Sequence, residues 1–413
     1  MKTSMFLAKC SAVLALVSSS FAVLAQQTPK EWVDPDTGHR IVQLSEEPGS
    51  GSLYFNLNGY TPNGDKLLIT TPHGMAFVDL ATRRIEPLNH DPHAHPIMVG
   101  HKTGRVYFAR DGAVWYLDPE TKKETKVADM PPHGSIATVN ADETLLAGTY
   151  VESQGIEKAQ HLSPPPQTRD GRGHMLEERY NAHLPMALFT LNIKTGEVKV
   201  LNRSTEWLNH LLFSPTDPNL LMFCHEGPWQ KVDRIWLIHT DGSGLMLVHK
   251  RRMQMEIAGH EFWSADGKTI WYDLQTPRGE DFWVGGYNVY DGHRTWWHLQ
   301  RNEWSVHFNV SPDGTLFAGD GGDSKMVAHA PDGKWIYLFH PKPVPNTGVQ
   351  EKDLIEAGAF EAEKLVNMSK HDYALEPNVN FTPDGKWIVF RSNMSGAEQV
   401  YAVEVAKEPG HGK

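Results

Sequence analysis

Cysteine is nearly absent from the chain: Cys10 and Cys224 are the two in 413 residues. Cys10 falls in a leader-like N-terminal stretch, so the rest carries one thiol, which excludes an intrachain disulfide and paired-cysteine metal or redox sites. Beyond residue 25 no run is long and apolar enough to span a bilayer. Cations are in the minority, with 39 Lys+Arg against 50 Asp+Glu and a formal net charge of −11. Such an acidic chain is a poor partner for nucleic acid or anionic lipid. An acidic ligand would have to be met by a local basic or metal-bearing site. Catalytic motifs are missing as well. There is no G-x-S-x-G nucleophile elbow and no phosphate loop, and Ser264 stands where a zinc-peptidase helix beginning His260-Glu261 needs its second histidine.

Residues 1–25 carry Lys2 and Lys9, then an apolar and small-residue run from Ser11 to Leu24 that ends at Ala25. This predicts a secretory signal peptide. The run is short for a membrane span and is interrupted by Ser18, Ser19 and Ser20, while Lys9 before Cys10 spoils a lipoprotein cleavage site. Residues 26–413 are therefore expected as one exported domain, periplasmic or secreted, two units more negative after loss of the leader's lysines.

Gly, Pro, Trp and Tyr are abundant, as short strands joined by tight turns require. One unit recurs: an aromatic or apolar residue, a turn resembling Pro-Asp-Gly, a short apolar strand, then a second strand ending in a charged turn. It starts at Tyr60, Gly100, Val139, Phe213, Phe262, Asn309 and Phe381. Each copy reads as one four-stranded blade that cannot bury both faces alone, which a ring of neighbours solves. The predicted fold is an all-β, seven-bladed β-propeller closed by an N-terminal strand, His39–Ser45, completing the blade formed by residues 381–405. Six or eight blades stay open, because APDGKWIYLF from Ala330 can be counted separately; it is read here as the outer hairpin of blade 6. Two insertions break the rhythm. Residues 152–184 contain Pro164-Pro165-Pro166 and a helical turn at His174–His183. Residues 343–378 are rich in proline and charge and deliver His371 and Glu376 to the last blade.

Several histidines fall near the first strand of a blade, the strand that lines a propeller's channel: His210, His225, His260, His307 and His371. A lone histidine is more often a hydrogen-bonded structural group than a ligand. Three or four at the same point of successive blades shift that balance toward a site, to which Asp320 and Glu376 can add oxygen. Mixed imidazole, carboxylate and amide donors suit Mn²⁺ or a similar divalent ion. The run His249-Lys250-Arg251-Arg252 either draws in a polyanion or is a solvated hairpin turn. His210, His225 and Arg251 are the candidate substrate-binding residues.

The blocks FCHEGPW, DRIWLIHTDGS, GHEFWSADG and the following SVH/SPDG/GDG segment resemble the oligogalacturonate lyase family, seven-bladed propellers that cleave pectate oligomers. The similarity is densest from Trp207 to Asp323 and traceable over Tyr54–Leu88 and from Glu376 onward. The resemblance implies a metal-assisted β-elimination at 4-linked galacturonate, giving 4,5-unsaturated products. It implies His260 as general base, Arg234 as the cation that holds and neutralises the uronate, and His307 as a metal ligand. The family's other ligands lie in a Gln-x-x-His-x-His stretch, where this chain reads Tyr373-Ala374-Leu375-Glu376-Pro377-Asn378. Glu376 and Asn378 retain donors for a hard divalent ion, and His371 is the expected replacement for a lost nitrogen. A signal peptide is a second departure, since typical members lack one.

The chemistry suits these residue types. The C5 proton, α to the carboxylate, is weakly acidic, so its removal needs a base near neutral pKa and positive charge at the carboxylate. The alternatives are a lyase for another uronate oligosaccharide and a non-catalytic periplasmic propeller for binding or assembly. A propeller-bearing serine peptidase would need a hydrolase domain for which no sequence remains.

Overall fold

The recurring turn is a compact hydrogen-bonded unit that leads from the first strand of a blade into the second. At residues 264–269 of the computed structural model the Ser264 N–H donates to the Thr269 carbonyl at 2.8 Å, and Asp266 accepts from Ser264 Oγ and the Lys268 N–H. Gly267 takes φ 69° there, a left-handed conformation that a side chain would strain. The same closure recurs from Ser311 to Leu316 and from Thr382 to Trp387. A short sequence signal thus fixes seven similar corners by local bonding alone.

The structure describes residues 30–163, 169–324, 326 and 330–407. The expected signal peptide lies outside them. Among the described residues the strands form four-stranded antiparallel units whose first strands are Gly51–Ser52, His95–Val99, Gly134–Val139, Trp207–Phe213, Ile257–Trp263, Phe308–Val310 and Asn380–Phe381. Those starting at Ile257 and Phe308, blades 5 and 6, join into one eight-stranded sheet through parallel pairing of Arg294–Leu299 with Glu356–Asn367. In blade 7 the strand Gln399–Lys407 pairs antiparallel with His39–Gln43, as the sequence led one to expect, and Glu31–Val33 adds a fifth strand outside it. The hydrophobic clusters lie between neighbouring blades rather than within them. One joins blades 1 and 2 through Phe77 and Phe108, others follow in order, and the last joins blade 7 to blade 1 through Val389 and Ile69. Apolar burial closes the ring.

The 152–184 insertion lies between the second and third strands of blade 3 and carries two helices, Ile156–Gln160 and Arg169–Ala182. The 343–378 segment is less irregular than its composition predicts. Trp335–Pro343 pairs with Glu356–Asn367 along its full length, so the outer hairpin of blade 6, expected from Ala330 onward, runs beyond the rest of the sheet. Pro341 and Pro343 fit because the inner neighbour reaches only as far as Phe339, leaving an edge where no N–H is needed.

The channel does not run open from end to end. Residues 53–58, between the start of blade 1 and its second strand, cross the axis and touch the far side of the ring. The Phe55 ring is buried 4.7 Å from the His307 ring and 5.9 Å from that of Phe262. Asn56 Nδ2 donates to the Glu261 carbonyl at 3.0 Å, and Asn380 Nδ2 donates to the Phe55 carbonyl at 2.9 Å. The inner strand of blade 5 runs past this plug. His260 faces a cavity at one end, and Phe262–Ala265 line another of about 380 Å³ at the other end.

Ring closure predicts a large penalty for thinning the N-terminal strand. Ile41 is fully buried opposite Val403, so Ile41→Ala should cost about 2–5 kcal/mol. A lowered urea unfolding midpoint with an unchanged folded-state spectrum is the expected measurement.

Candidate active site in the central channel

His307 precedes the inner strand of blade 6 and is fully buried. Its Nδ1 lies 2.7 Å from Asp320 Oδ2, which fixes the proton on Nδ1 and turns Nε2 toward the channel. Nε2 meets the Tyr54 hydroxyl at 3.2 Å and Glu376 Oε2 at 3.7 Å. Burial disfavours an imidazolium here, but Asp320 and then Glu376 outweigh it, and the His307 pKa is raised. Burial likewise pushes the Tyr54 phenol up, reinforced by Glu376, so it stays protonated.

His260 sits on the inner strand of blade 5 beside His307, with ring centroids 4.7 Å apart. The strand carries a register shift between Gly259 and Phe262, and His260 adopts φ 45° within it. His210 repeats the arrangement in blade 4, with a shift between Asn209 and Leu212 and φ 48°. A left-handed non-glycine residue at a bulge re-aims its side chain out of the pleat, and such strain collects at functional sites. His260 Nδ1 lies 3.2 Å from Asp273 Oδ2 on the adjacent strand, leaving Nε2 for the cavity. Asp273 is buried, and its Oδ1 has no hydrogen-bond partner among the described residues. The Trp229 ring stands edge-on to His260 at 5.0 Å.

Beneath these groups runs a buried charge network. Arg234 donates from Nη1 to Glu226 at 2.6 Å and from Nε to Glu261 at 3.1 Å, under the Trp229 ring. Glu226 also holds His210 Nε2 at 3.0 Å, and Glu261 accepts from Cys224 Sγ at 2.7 Å. Burial raises both carboxyl pKa values, but Arg234 foremost and His210 next outweigh it and keep both below the usual carboxylate range. Arg234 is 3% exposed and two carboxylates face it, so its charge is neutralised inside the protein and it does not line the cavity. Its place is that of a brace for the His210 and Trp229 positions.

The other candidates are dispersed. His225 packs 4.9 Å from the Trp236 ring, and burial lowers its pKa to about 4. The Arg251 guanidinium binds backbone carbonyls of Trp229, Gln230 and Val232, pinning the loop that carries Trp229. His371 spends both ring nitrogens on structure, with Nε2 donating to the Leu375 carbonyl at 2.8 Å and Nδ1 accepting from Ser392 Oγ at 2.9 Å. Asn378 turns its amide oxygen to Arg391 Nη2 at 2.9 Å, while its backbone N–H donates to Asp320. The structure thus gathers His260, His307 and Glu376, with His210 along the wall, and leaves His225, Arg251, His371 and Asn378 in supporting positions. Tyr54, Glu226 and Asp273 are partners that sequence reasoning passed over. Glu226 stands next to His225 in the HEG block, a signal that was available.

The cavity above His260 measures about 340 Å³. The helix Arg169–Ala182 roofs it with Arg172, Gly173, Leu176 and Glu177; Trp229, Arg278 and Glu376 complete much of the wall. No group of three His, Cys, Asp or Glu poised around one metal position occurs among the described residues. The donors present nevertheless suit a divalent ion. His307 Nε2 and a Glu376 oxygen converge, and the field that favours a proton on His307 favours a metal ion in its place.

Comparison with known proteins identifies the family. Residues 34–408 match the family model for oligogalacturonate lyase. An oligogalacturonate lyase of Dickeya dadantii is 25% identical over 90% of this chain and 95% of its own length. An oligogalacturonide lyase of Pectobacterium atrosepticum is 27% identical over 55% and 58%. Among solved structures, an oligogalacturonate lyase in complex with manganese superposes with a TM-score of 0.74 at 22% identity, covering 91% of this chain and 96% of that one. The enzyme from Vibrio parahaemolyticus gives 0.73 at the same identity and coverage. With the family model matched over nearly the whole propeller and the inner-strand histidines in place, the chain belongs to the oligogalacturonate lyase family.

Proposed function

We propose that the protein cleaves oligogalacturonides by β-elimination, with His260 as the base that removes the C5 proton. The observation that carries this is the His260–Asp273 pair on the wall of a partly roofed cavity, with Nδ1 engaged and Nε2 facing the space a sugar would fill. Family membership supplies the substrate class. Asp273 acts through His260: it holds the imidazole in one tautomer and stabilises the imidazolium formed when the proton arrives. Trp229 gives the sugar a flat apolar wall and keeps water from the base. The leaving C4 oxygen and the carboxylate carry the developing negative charge, which local cations stabilise.

A divalent ion, manganese by analogy with the solved neighbour, would be held by His307 Nε2 and Glu376, and when bound it supplies positive charge to the substrate carboxylate. His371 and Asn378 are too engaged elsewhere to serve as its ligands. Arg234 works from beneath the site rather than on the substrate. Residues 1–25 direct the protein out of the cytoplasm.

His260→Ala should abolish the ultraviolet absorbance of the 4,5-unsaturated product, a loss of at least about 10²-fold, while Asp273→Asn should lower kcat roughly 10-fold or more with KM little changed. Full activity in His260→Ala with an intact fold would remove the base assignment. For the metal, calorimetric titration with Mn²⁺ should show Asp320→Asn binding about 10–100-fold more weakly than the parent, because His307 loses its orienting carboxylate. Equal affinity would exclude His307 as a ligand. Amino-terminal sequencing of protein recovered from outside the cytoplasm should read from Gln26; a chain retaining Met1 would argue against export.

A further inference from the structure

The cavity that holds His260 poses a charge problem for an acidic substrate. A uronate oligomer brings one negative charge per sugar, yet the protein is acidic overall and Arg234 is already neutralised by Glu226 and Glu261. Two other arginines line the same cavity, Arg172 and Arg278. Arg278 is exposed, and its guanidinium makes no hydrogen bond or ion pair among the described residues. The loop that presents it is firmly held. The Arg278 N–H donates to the Met255 carbonyl at 2.8 Å, Thr276 N–H to the Asp281 carbonyl at 3.1 Å, and Gly279 N–H to Gln275 Oε1 at 2.7 Å. Arg301 Nη1 adds a bond to the Gly279 carbonyl. An anchored loop with an unpaired arginine on a cavity rim costs little further ordering when an anion arrives.

Arg172 approaches from another element. It lies on the face of the roofing helix that also shows Gly173, Leu176 and Glu177 to the cavity, and its Nη1 is 3.5 Å from Glu376 Oε1. Glu177, the other acid on this face, is held by Lys231 at 2.8 Å and so adds little repulsion. The roof thus brings one cation to the metal-side end of the cavity, and the 276–281 loop brings another.

We propose that Arg278 and Arg172 form a two-point subsite that holds the carboxylates of the sugars flanking the one that reacts. The proposal rests on the lyase reading above and deepens it. Planar guanidinium forks recognise carboxylates through paired N–H donors, whereas a methyl ester offers neither the charge nor the second equivalent acceptor. Arg278 touches neither the base nor the metal ligands, so its loss should act on binding rather than on proton removal.

The test compares trigalacturonate with its fully methyl-esterified form. Binding to the full-length, Mn²⁺-supplemented protein is followed by calorimetry in the His260→Ala background, and turnover is followed in the parent background. Arg278→Gln is expected to weaken trigalacturonate binding about 10–100-fold, the worth of a charge-assisted contact, with the ester affected less than about 3-fold. In turnover KM should rise with kcat nearly unchanged, and Arg278→Lys should restore part of the affinity. Arg172→Gln should give the same selective loss. If the parent cleaves trigalacturonate and Arg278→Gln binds and cleaves it equally well, the subsite is refuted while the lyase reading stands. If the acid form binds tightly and selectively but is not cleaved, the lyase reading falls and the subsite stands. Equal weakening of acid and ester would overturn the carboxylate role, pointing instead to a structural effect of the loop.

Discussion

Asp320 is a carboxylate with no solvent exposure, and the architecture of the site follows from what it takes to keep one there. A buried carboxylate is tolerated only when its oxygens are met by donors. Here the backbone N–H groups of Val306 and His307 serve Oδ1, while the His307 ring and the Asn378 N–H serve Oδ2. Blade 6 and the approach to blade 7 are therefore locked at a single carboxyl. The Tyr373 hydroxyl, donating to the Asp320 carbonyl at 3.0 Å, tightens the same junction. Because the His307 ring is one of those donors, its orientation is a by-product of satisfying Asp320, and Glu376 and Tyr54 then meet a nitrogen that is already aimed.

Much of the architecture was legible because it is written locally. The Asp-Gly turns carry their own hydrogen bonds within six residues, so each copy in the sequence became a corner in the structure. The closing strand was legible for a different reason: an alternating segment without a partner at one end implied a blade short of a strand at the other. Histidines on the inner strands were found because propeller geometry converts a repeated position into a shared place. That logic places His260 and His307 side by side, although their numbers differ by 47 in the sequence.

What stayed hidden depends on neighbours that no local pattern announces. Asp273 reaches His260 only because the second strand of blade 5 pairs with the first in one register. Tyr54 comes from blade 1, across the axis. Arg234 shows the opposite case, in which a motif marks the correct region but not the charge state of its surroundings, since the glutamates that neutralise it sit in the HEG and HEF blocks. His371 entered the candidate set by its nearness to the last blade, yet Ser392 and the Leu375 carbonyl claim both ring nitrogens. Sequence position brings a side chain to the site's neighbourhood; hydrogen-bond competition decides whether it faces in.

The segment from residue 53 to 58 has a consequence for traffic. With Phe55 wedged against Phe262 and His307, the ring is a cup rather than a tube. For the reaction proposed at His260, substrate and both fragments would then share the side roofed by the helix Arg169–Ala182. On that reading a fragment that has not left would bar the next oligomer, so escape of products and admission of substrate would become one queue at one door. The far cavity of about 380 Å³, walled off by the same residues, takes no part in that exchange.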